Sequence, residues 1–267
     1  MTVSDYIFTA KYVYMTYEAN RRVETSVRTF TIIEQLAKHD SIGVSELADA
    51  LNMSKGIVHN HVSTLRELGY VRKTQSGYQL SPKLLTTGYR AKENSELYQH
   101  ANASIRGFST ELSVGAFLVT PTESECIVLI IHGMADSVEL SVGTQLPLTE
   151  SLVGVAGLAV SDDNDLDSTA TEWVEIEQIS SAIDSHGYAT GPVAEGINEQ
   201  CVAVPILNSD EEWCGSVGVL LHSGDQTQHR NRVIDATVSL RDRIEARLRS
   251  EWMEERSFAT EKHSWIG

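Results

Sequence analysis

The sequence predicts an α+β chain in two parts: a small helical domain closed by a two-stranded hairpin, and a larger domain of antiparallel strands and helices. Three observations predict it. Residues 45–73 hold two short amphipathic segments joined at Asn52-Met53-Ser54 and followed by a short basic strand. From Ser113 onward, short apolar runs bounded by Gly, Pro, Asn and Asp dominate. Charge divides the same way: residues 20–110 hold 12 Lys+Arg against 8 Asp+Glu, and residues 111–267 hold 8 against 27.

Residues 1–19 carry Tyr6, Ile7, Phe8, Tyr12, Val13 and Tyr14 with little periodicity. They are either an N-terminal arm or a mis-assigned start, with Met15 as the alternative first residue. The first helix is expected over Val27–His39, with Val27, Phe30, Ile33, Leu36 and Ala37 inward. Arg21, Arg22 and Arg28 precede or start it, where they either reach phosphate or form a solvated arm.

Val44 and Ser45 open the second helix, with Ser45 read as its N-cap and Leu47, Ala48 and Leu51 as its apolar positions. Asn52 breaks the pattern and Ser54 caps the third helix. At 100° per residue, Ile57, Val58, Val62, Leu65 and Leu68 share one face of that helix. Gly56, His59, Asn60 and Ser63 lie opposite, flanked by Lys55 and Arg66. A small, polar, partly basic face of this kind suits the DNA major groove: Lys for guanine or phosphate, Asn for the adenine edge, Gly for close backbone approach. His61 falls on the apolar side and reads as a packed histidine. Gly69 ends the helix. Tyr70–Lys73 and Tyr78–Leu80, around Gln75-Ser76-Gly77, make a hairpin wing carrying Arg72 and Lys73. Ser54, Lys55, Gly56, His59, Asn60, Ser63, Arg72 and Lys73 are therefore the expected DNA-binding residues.

Ser81-Pro82 starts a helix running to about Glu93, and a further helix follows over Leu97–Leu112. Expected strands are Val114–Val119, Cys126–His132 and Ser137–Val142, with Gly133 and Asp136 in a tight connection. Asp162–Asp167 reads as an acidic surface loop and Glu172–Ser185 as a helix. Cys201–Leu207 and Trp213–Leu221 form a hairpin closed by Asn208–Glu212. Its expected register sets Leu207 opposite Trp213, Cys214 opposite Ile206 and Cys201 opposite Val219. That register keeps Cys201 and Cys214 apart and argues against a disulfide; Cys126, Cys201 and Cys214 show no metal spacing. Arg230–Trp252 is the last helix, with Val233, Leu240, Ile244 and Leu248 inward.

These residues carry a resemblance. Leu51–Val71, LNMSKGIVHNHVSTLRELGYV, resembles in register the IclR-family recognition segment L-G-L-x-K-S-T-V-H-R-L-L-A-T-L-x-x-x-G-L-V. It departs at Gly56 (usually Ser), Ile57 (usually Thr) and Asn60 (usually Arg), which puts base preference in question. Farther on, Pro147-Leu148, Gly154 and Leu158-Ala159 match the family's entry to its effector domain, with Thr149 in place of His and Val155 in place of Lys. Gly187-Tyr188-Ala189 matches its G-Y-A turn, and Cys201–Pro205 follows its G-x-x-C-x-A-x-P pattern loosely.

The resemblance covers about residues 24–252. It implies an α+β architecture: an N-terminal winged helix-turn-helix, a linker helix and a C-terminal GAF-like effector domain with a curved antiparallel sheet. The implied domains are an arm or mis-assigned start at 1–19, a DNA-binding domain at 20–80, a linker helix at 81–96, an effector-binding and dimerisation domain at 97–253, and a flexible tail at 254–267. Effector-facing positions on this alignment are Leu148, Gly154, Val155, Ala156, Glu195, Cys201, Gly218 and Leu220. Gly218 and Leu220 stand where the family has serines, so a small carboxylate would find no hydroxyl donors there, unless the register slips and Ser216 or Ser223 supplies one. The set suits an apolar ligand or a filled core.

The function expected is a sequence-specific transcription regulator on a palindromic double-stranded operator, working as a homodimer or dimer of dimers. Its second domain is either a small-molecule sensor or a ligand-free dimerisation or docking platform. An enzyme is the weaker reading. His132, His186 and His222 are isolated, and His222, Ser223 and Asp225 are too close in sequence to form a triad. No cofactor, metal or membrane partner is expected. No stretch approaches a membrane span and no signal-peptide pattern is present, which points to the cytoplasm. The net charge of -16, with only 7 Lys beside 14 Arg, points to a salt-rich cytosol of the haloarchaeal kind.

Overall fold

The computed structural model describes residues 20–133, 140–161, 176–221, 224 and 227–264, with the backbone alone over 251–264. Residues 1–19, half of the expected strand 137–142, Asp136, the loop Asp162–Asp167, the start of the expected helix at Glu172, and His222, Ser223 and Asp225 lie outside them; the described half, 140–142, leads into a turn and is not a strand. Among the described residues, the chain divides into two packed units between Glu93 and Asn94.

The N-terminal unit contains α1 (Glu24–Ala37), α2 (Val44–Ala50), α3 (Lys55–Glu67), β1 (Val71–Lys73), β2 (Tyr78–Leu80) and α4 (Lys83–Glu93). Its core is Ile32, Leu36, Ile42, Leu47, Ala48, Val58, Val62, Leu65 and Val71. Three expectations are corrected here. On α1 the buried residues are Ile32 and Leu36, while Val27 and Phe30 are exposed. The inward row is set by Thr29, whose hydroxyl lies 2.9 Å from His61 Nδ1 on α3. The N-cap of α2 is Gly43, not Ser45. Glu46, at the third helical position, reaches back to accept the Gly43 N–H at 3.0 Å, the glutamate half of a capping box, which sets the helix start at Val44. On α3, Ile57 and Leu68 are exposed, and burial is confined to Val58, Val62 and Leu65.

The junctions follow from local chemistry. Asn52 takes a left-handed φ of 50° to turn α2 into α3. Gly69, at φ 82°, closes α3 in a Schellman motif: its N–H donates to Arg66 O at 3.0 Å, and the Tyr70 N–H donates to Leu65 O at 2.8 Å.

The C-terminal unit contains α5 (Glu96–Leu112), β3 (Ala116–Pro121), β4 (Glu125–His132), β5 (Gln145–Pro147), α6 (Leu152–Leu158), α7 (Ile176–His186), β6 (Ala189–Ala194), β7 (Ile197–Leu207), β8 (Trp213–Leu220) and α8 (Thr227–Ser264). The strands form one antiparallel sheet in the order β5-β4-β3-β8-β7-β6. One face, with Phe117, Val119, Cys126, Val128, Cys201, Ala203 and Leu220, packs in one cluster with α6 and α7 residues. The other, with Leu118, Ile130, Val202, Val204, Val217 and Val219, packs with α5 and α8. Burial on both faces explains continuous runs such as Val202–Leu207. Each fully buried Val, Leu or Ile adds roughly 1.5–3 kcal/mol.

Two further corrections concern the last elements. The β7–β8 register places Leu207 opposite Trp213, then shifts, so that Ile206 pairs with Gly215 and Cys201 with Leu220. The shift is a bulge at Cys214, one extra residue that moves every later pair by one. Cys126, Cys201 and Cys214 are all free thiols. The final helix also runs to Ser264, so 254–264 is helical and not the flexible tail expected. No Pro or Gly interrupts residues 227–264 to end it sooner. Val233, Leu240, Ile244 and Leu248 are buried as expected.

Candidate functional site

The first candidate surface is the outer side of α3. Ser54 caps the helix, its Oγ accepting the Ile57 N–H at 3.3 Å. That bond uses the Ser54 oxygen as an acceptor and leaves its exposed O–H as a donor on the outer side. Val58, Val62 and Leu65 hold the inner face in the core, and this fixes what is presented outward. Lys55, Gly56, His59, Asn60, Ser63 and Arg66 are all exposed. No Asp or Glu occurs from Lys55 to Arg66. His61 is half-buried against Thr29, a packed histidine that ties α3 to α1.

Gly56 has open space around it: a Cβ there would meet nothing within 4 Å. Gly56→Ser, which restores the residue usual in the resembling family, should therefore leave the fold intact. It should raise stability by about 0.5 kcal/mol through helix propensity. A thermal melt that drops by several degrees would contradict the placement of Gly56 on the free face.

The wing is pinned to the body. Ile42 and Tyr78 exchange backbone bonds of 3.0 and 2.9 Å. Gly77 sits so close to the Ile42 carbonyl that a Cβ would come within 2.5 Å of it. Arg72 and Lys73 are exposed on β1. The Arg72 guanidinium donates to the side-chain oxygen of Gln79, its cross-strand partner, when the Gln79 amide is turned to donate to Asp40 O at 3.2 Å. Lys83 Nζ donates to Leu68 O at 2.6 Å and lies 4.6 Å from the centroid of the Tyr70 ring. A cation there neutralises the carbonyl end of α3. Sequence reasoning missed Gln79 and Lys83, because neither lies in a motif and both act across the hairpin. It also missed Ile57, which it placed inside.

The second candidate surface is the α6 face of the sheet. Leu148, Gly154, Val155, Ala156, Cys201, Gly218 and Leu220 are all buried there. Glu195 stands apart, exposed at the β6–β7 turn, with its N–H donating to Glu150 O at 2.8 Å. The space between these residues is taken by the protein's own rings. The Trp213 indole lies where a Cβ on Gly157 would be, 1.8 Å from the indole Cε2. The Phe117 ring lies over Gly218 in the same way, at 2.1 Å. Ser216 shares the face, but its hydroxyl donates to Val153 O at 2.8 Å and accepts from Trp213 Nε1 at 3.1 Å. Gly154 is pressed on the Leu148 carbonyl, 2.3 Å from where its Cβ would stand.

The thiols are insulated. Burial pushes Cys201 strongly upward and Cys126 up to about 12. Burial first, then the Glu245 carboxylate, pushes Cys214 up to about 12. None is a ready nucleophile at neutral pH. His132 is lowered by burial and by Arg106, with Nε2 3.4 Å from Asn102 Oδ1. His186 packs beside Tyr188 at 5.8 Å between ring centroids.

Comparison with known proteins bears on both units. The IclR helix-turn-helix domain model matches residues 26–75. The transcriptional regulator KdgR of Escherichia coli is 26% identical over 206 residues, 70% of this chain and 77% of that protein. The probable transcriptional regulator ArcR of Halobacterium salinarum is 24% identical over 220 residues, 74% and 83% of the two chains. Among solved structures, an IclR transcriptional regulator from Alicyclobacillus acidocaldarius superposes with a TM-score of 0.71 at 21% identity, over 85% of this chain and 99% of that one. An IclR homologue from Microbacterium hydrocarbonoxydans, complexed with 4-hydroxybenzoate, gives 0.65 at 17% identity, over 83% and 99%. These relatives are named as regulators rather than enzymes. An IclR helix-turn-helix domain therefore lies in the N-terminal unit, and the chain is similar in sequence to transcription regulators, and in fold to solved IclR regulators, across both units.

Proposed function

We propose that the protein binds a specific double-stranded DNA operator through α3 and the wing, and regulates transcription from it. The observation that carries this reading is the outer side of α3: Lys55, His59, Asn60 and Ser63 all stand free while the opposite side is locked in the core. Asn60 presents an amide suited to adenine, Lys55 suits guanine or phosphate, and Arg72 and Lys73 suit the backbone beside the groove. Selection from a random duplex library tests it. The protein should enrich a palindrome whose half-sites lie about 10 base pairs apart or a multiple of that. Recovery of unrelated sequences at every round would reject it.

Binding as a homodimer, or a dimer of dimers, belongs to the same reading. The N-terminal unit leaves Val23, Val27 and Phe30 exposed on α1, and Leu85 and Tyr89 on α4. Apolar rows of this kind are costly in water and gain from being covered.

For the C-terminal unit, the proposed role is a small-molecule sensor, and the tight packing of the α6 face favours a ligand-free platform as the second reading. What supports the second reading is the pair of rings, Trp213 against Gly157 and Phe117 against Gly218, each packed closely over a glycine on that face.

A cytoplasmic, salt-rich setting completes the proposal. Among the described residues no helix is long and apolar enough to cross a membrane. Residues 111–267 hold 27 Asp+Glu against 8 Lys+Arg. Screening this self-repulsion should raise the melting temperature as KCl is increased toward molar concentrations. A melting temperature that falls steadily with KCl would reject the salt-adapted reading.

A further inference from the structure

Ile57 is an apolar side chain left 37 % exposed in the first turn of α3. The burial pattern defines where it points. Val58, Val62 and Leu65 mark the inward direction, and at 100° per residue Ile57 sits about 100° away from their centre. That places it on the border of the outward face, one turn before Asn60 and on the same side. On that face Gly56, Asn60 and Ser63 are small or polar, with Lys55 and His59 on its far flank. Ile57 is the one aliphatic side chain among them. The adjacent Gly56 adds no bulk, so the helix backbone can approach a groove closely enough for a branched side chain to reach its floor.

Chemistry then limits the partner. In the major groove the base edges present hydrogen-bonding atoms, and the apolar points are the 5-methyl group of thymine and the smaller C5–H of cytosine. A buried hydrogen-bonding edge against Ile57 would be left unsatisfied, which is unfavourable. A methyl group loses nothing by the contact and gains the burial of its own surface. Asn60, one turn on, offers the complementary reading of adenine. We infer that Ile57 is a specificity-determining residue that reads a thymine 5-methyl group, beside the adenine taken by Asn60. This rests on the DNA-binding reading above and refines it to an A·T-containing step under the start of α3.

The probe is the duplex that the wild-type protein selects from a random library, together with copies in which single thymines are replaced by deoxyuridine. Uracil keeps every hydrogen-bonding atom of thymine and lacks only the methyl group. At one thymine per half-site, the wild type should bind the uracil copy roughly three- to fivefold more weakly, the worth of one buried methyl group. Ile57→Ser should bind the thymine and uracil copies alike. Because Ile57 is 37 % exposed and outside the core cluster of its unit, that variant should still fold cooperatively, with a melting temperature only slightly below that of the wild type. Two results would overturn the inference while leaving the DNA-binding reading in place: wild-type affinity unchanged by every uracil replacement, or full discrimination retained by Ile57→Ser. A wild-type protein that enriches no duplex at all would overturn both together.

Discussion

Trp213→Ala should destabilise the C-terminal unit by about 3–5 kcal/mol, the usual cost of deleting a large buried ring. Trp213 is almost wholly buried. Its indole N–H donates to Gly215 O at 2.7 Å and to Ser216 Oγ at 3.1 Å, and its ring fills the space left by Gly157. Truncation removes the contacts, leaves an apolar void and frees two buried acceptors. Collapse is hindered because Gly157 lies on α6, which is buried along its whole length. The void should behave as an engineered apolar cavity and take up a small aromatic such as benzene or indole. The variant's melting temperature should then rise with added aromatic, while the wild type's stays put. Denaturant unfolding measures the first effect and thermal melting the second. A loss below about 1 kcal/mol, or an equal response to aromatics in both proteins, would mean that the α6 face is already open.

Asn60→Ala and Arg72→Ala should separate by kind as well as by size. Removing the Asn60 amide should cost about 1–3 kcal/mol at one base-pair position per half-site and leave other positions unaffected. Removing Arg72 should weaken selected and scrambled duplexes alike and reduce the salt dependence by about one phosphate contact. Gln79→Ala should resemble a weaker Arg72→Ala, since Gln79 only steadies the guanidinium. Anisotropy titrations at two salt concentrations distinguish these cases. Loss of base discrimination in Arg72→Ala, with none in Asn60→Ala, would place the reading element on the wing rather than on α3.

The part of the molecule most legible in the sequence is the stretch from Asn52 to Leu80, because its signals are local. Asn52, the Ser54 cap and Gly69 each act within a few residues of where they stand. The phase of α1 was not legible. Val27, Phe30, Ile33 and Ala37 satisfy a helical spacing as well as Thr29, Ile32, Ile33 and Leu36 do. The choice is made by His61, which is 32 residues beyond Thr29. In the sheet, burial on both faces removes the alternation that would reveal strand register, and the bulge at Cys214 has no sequence mark. β5 and β6 are short and carry Pro147, Gly191 and Pro192, which read as loop. The effector positions other than Glu195 lie on one buried face, and the packing of Trp213 and Phe117 over its glycines depends on contacts between distant segments. Glycine at 157 and 218 became informative only once a ring was found above each.

Methylation interference on the selected duplex tests the central claim, that the exposed side of α3 reads bases in the major groove. Dimethyl sulfate marks guanine N7 in the major groove and adenine N3 in the minor groove, so one reagent reports on both. Methylated guanine N7 should be excluded from the bound fraction in two clusters, separated by about one helical turn or a multiple of it. Interference confined to adenine N3, or absent from both grooves of a duplex that still binds tightly, would contradict the account.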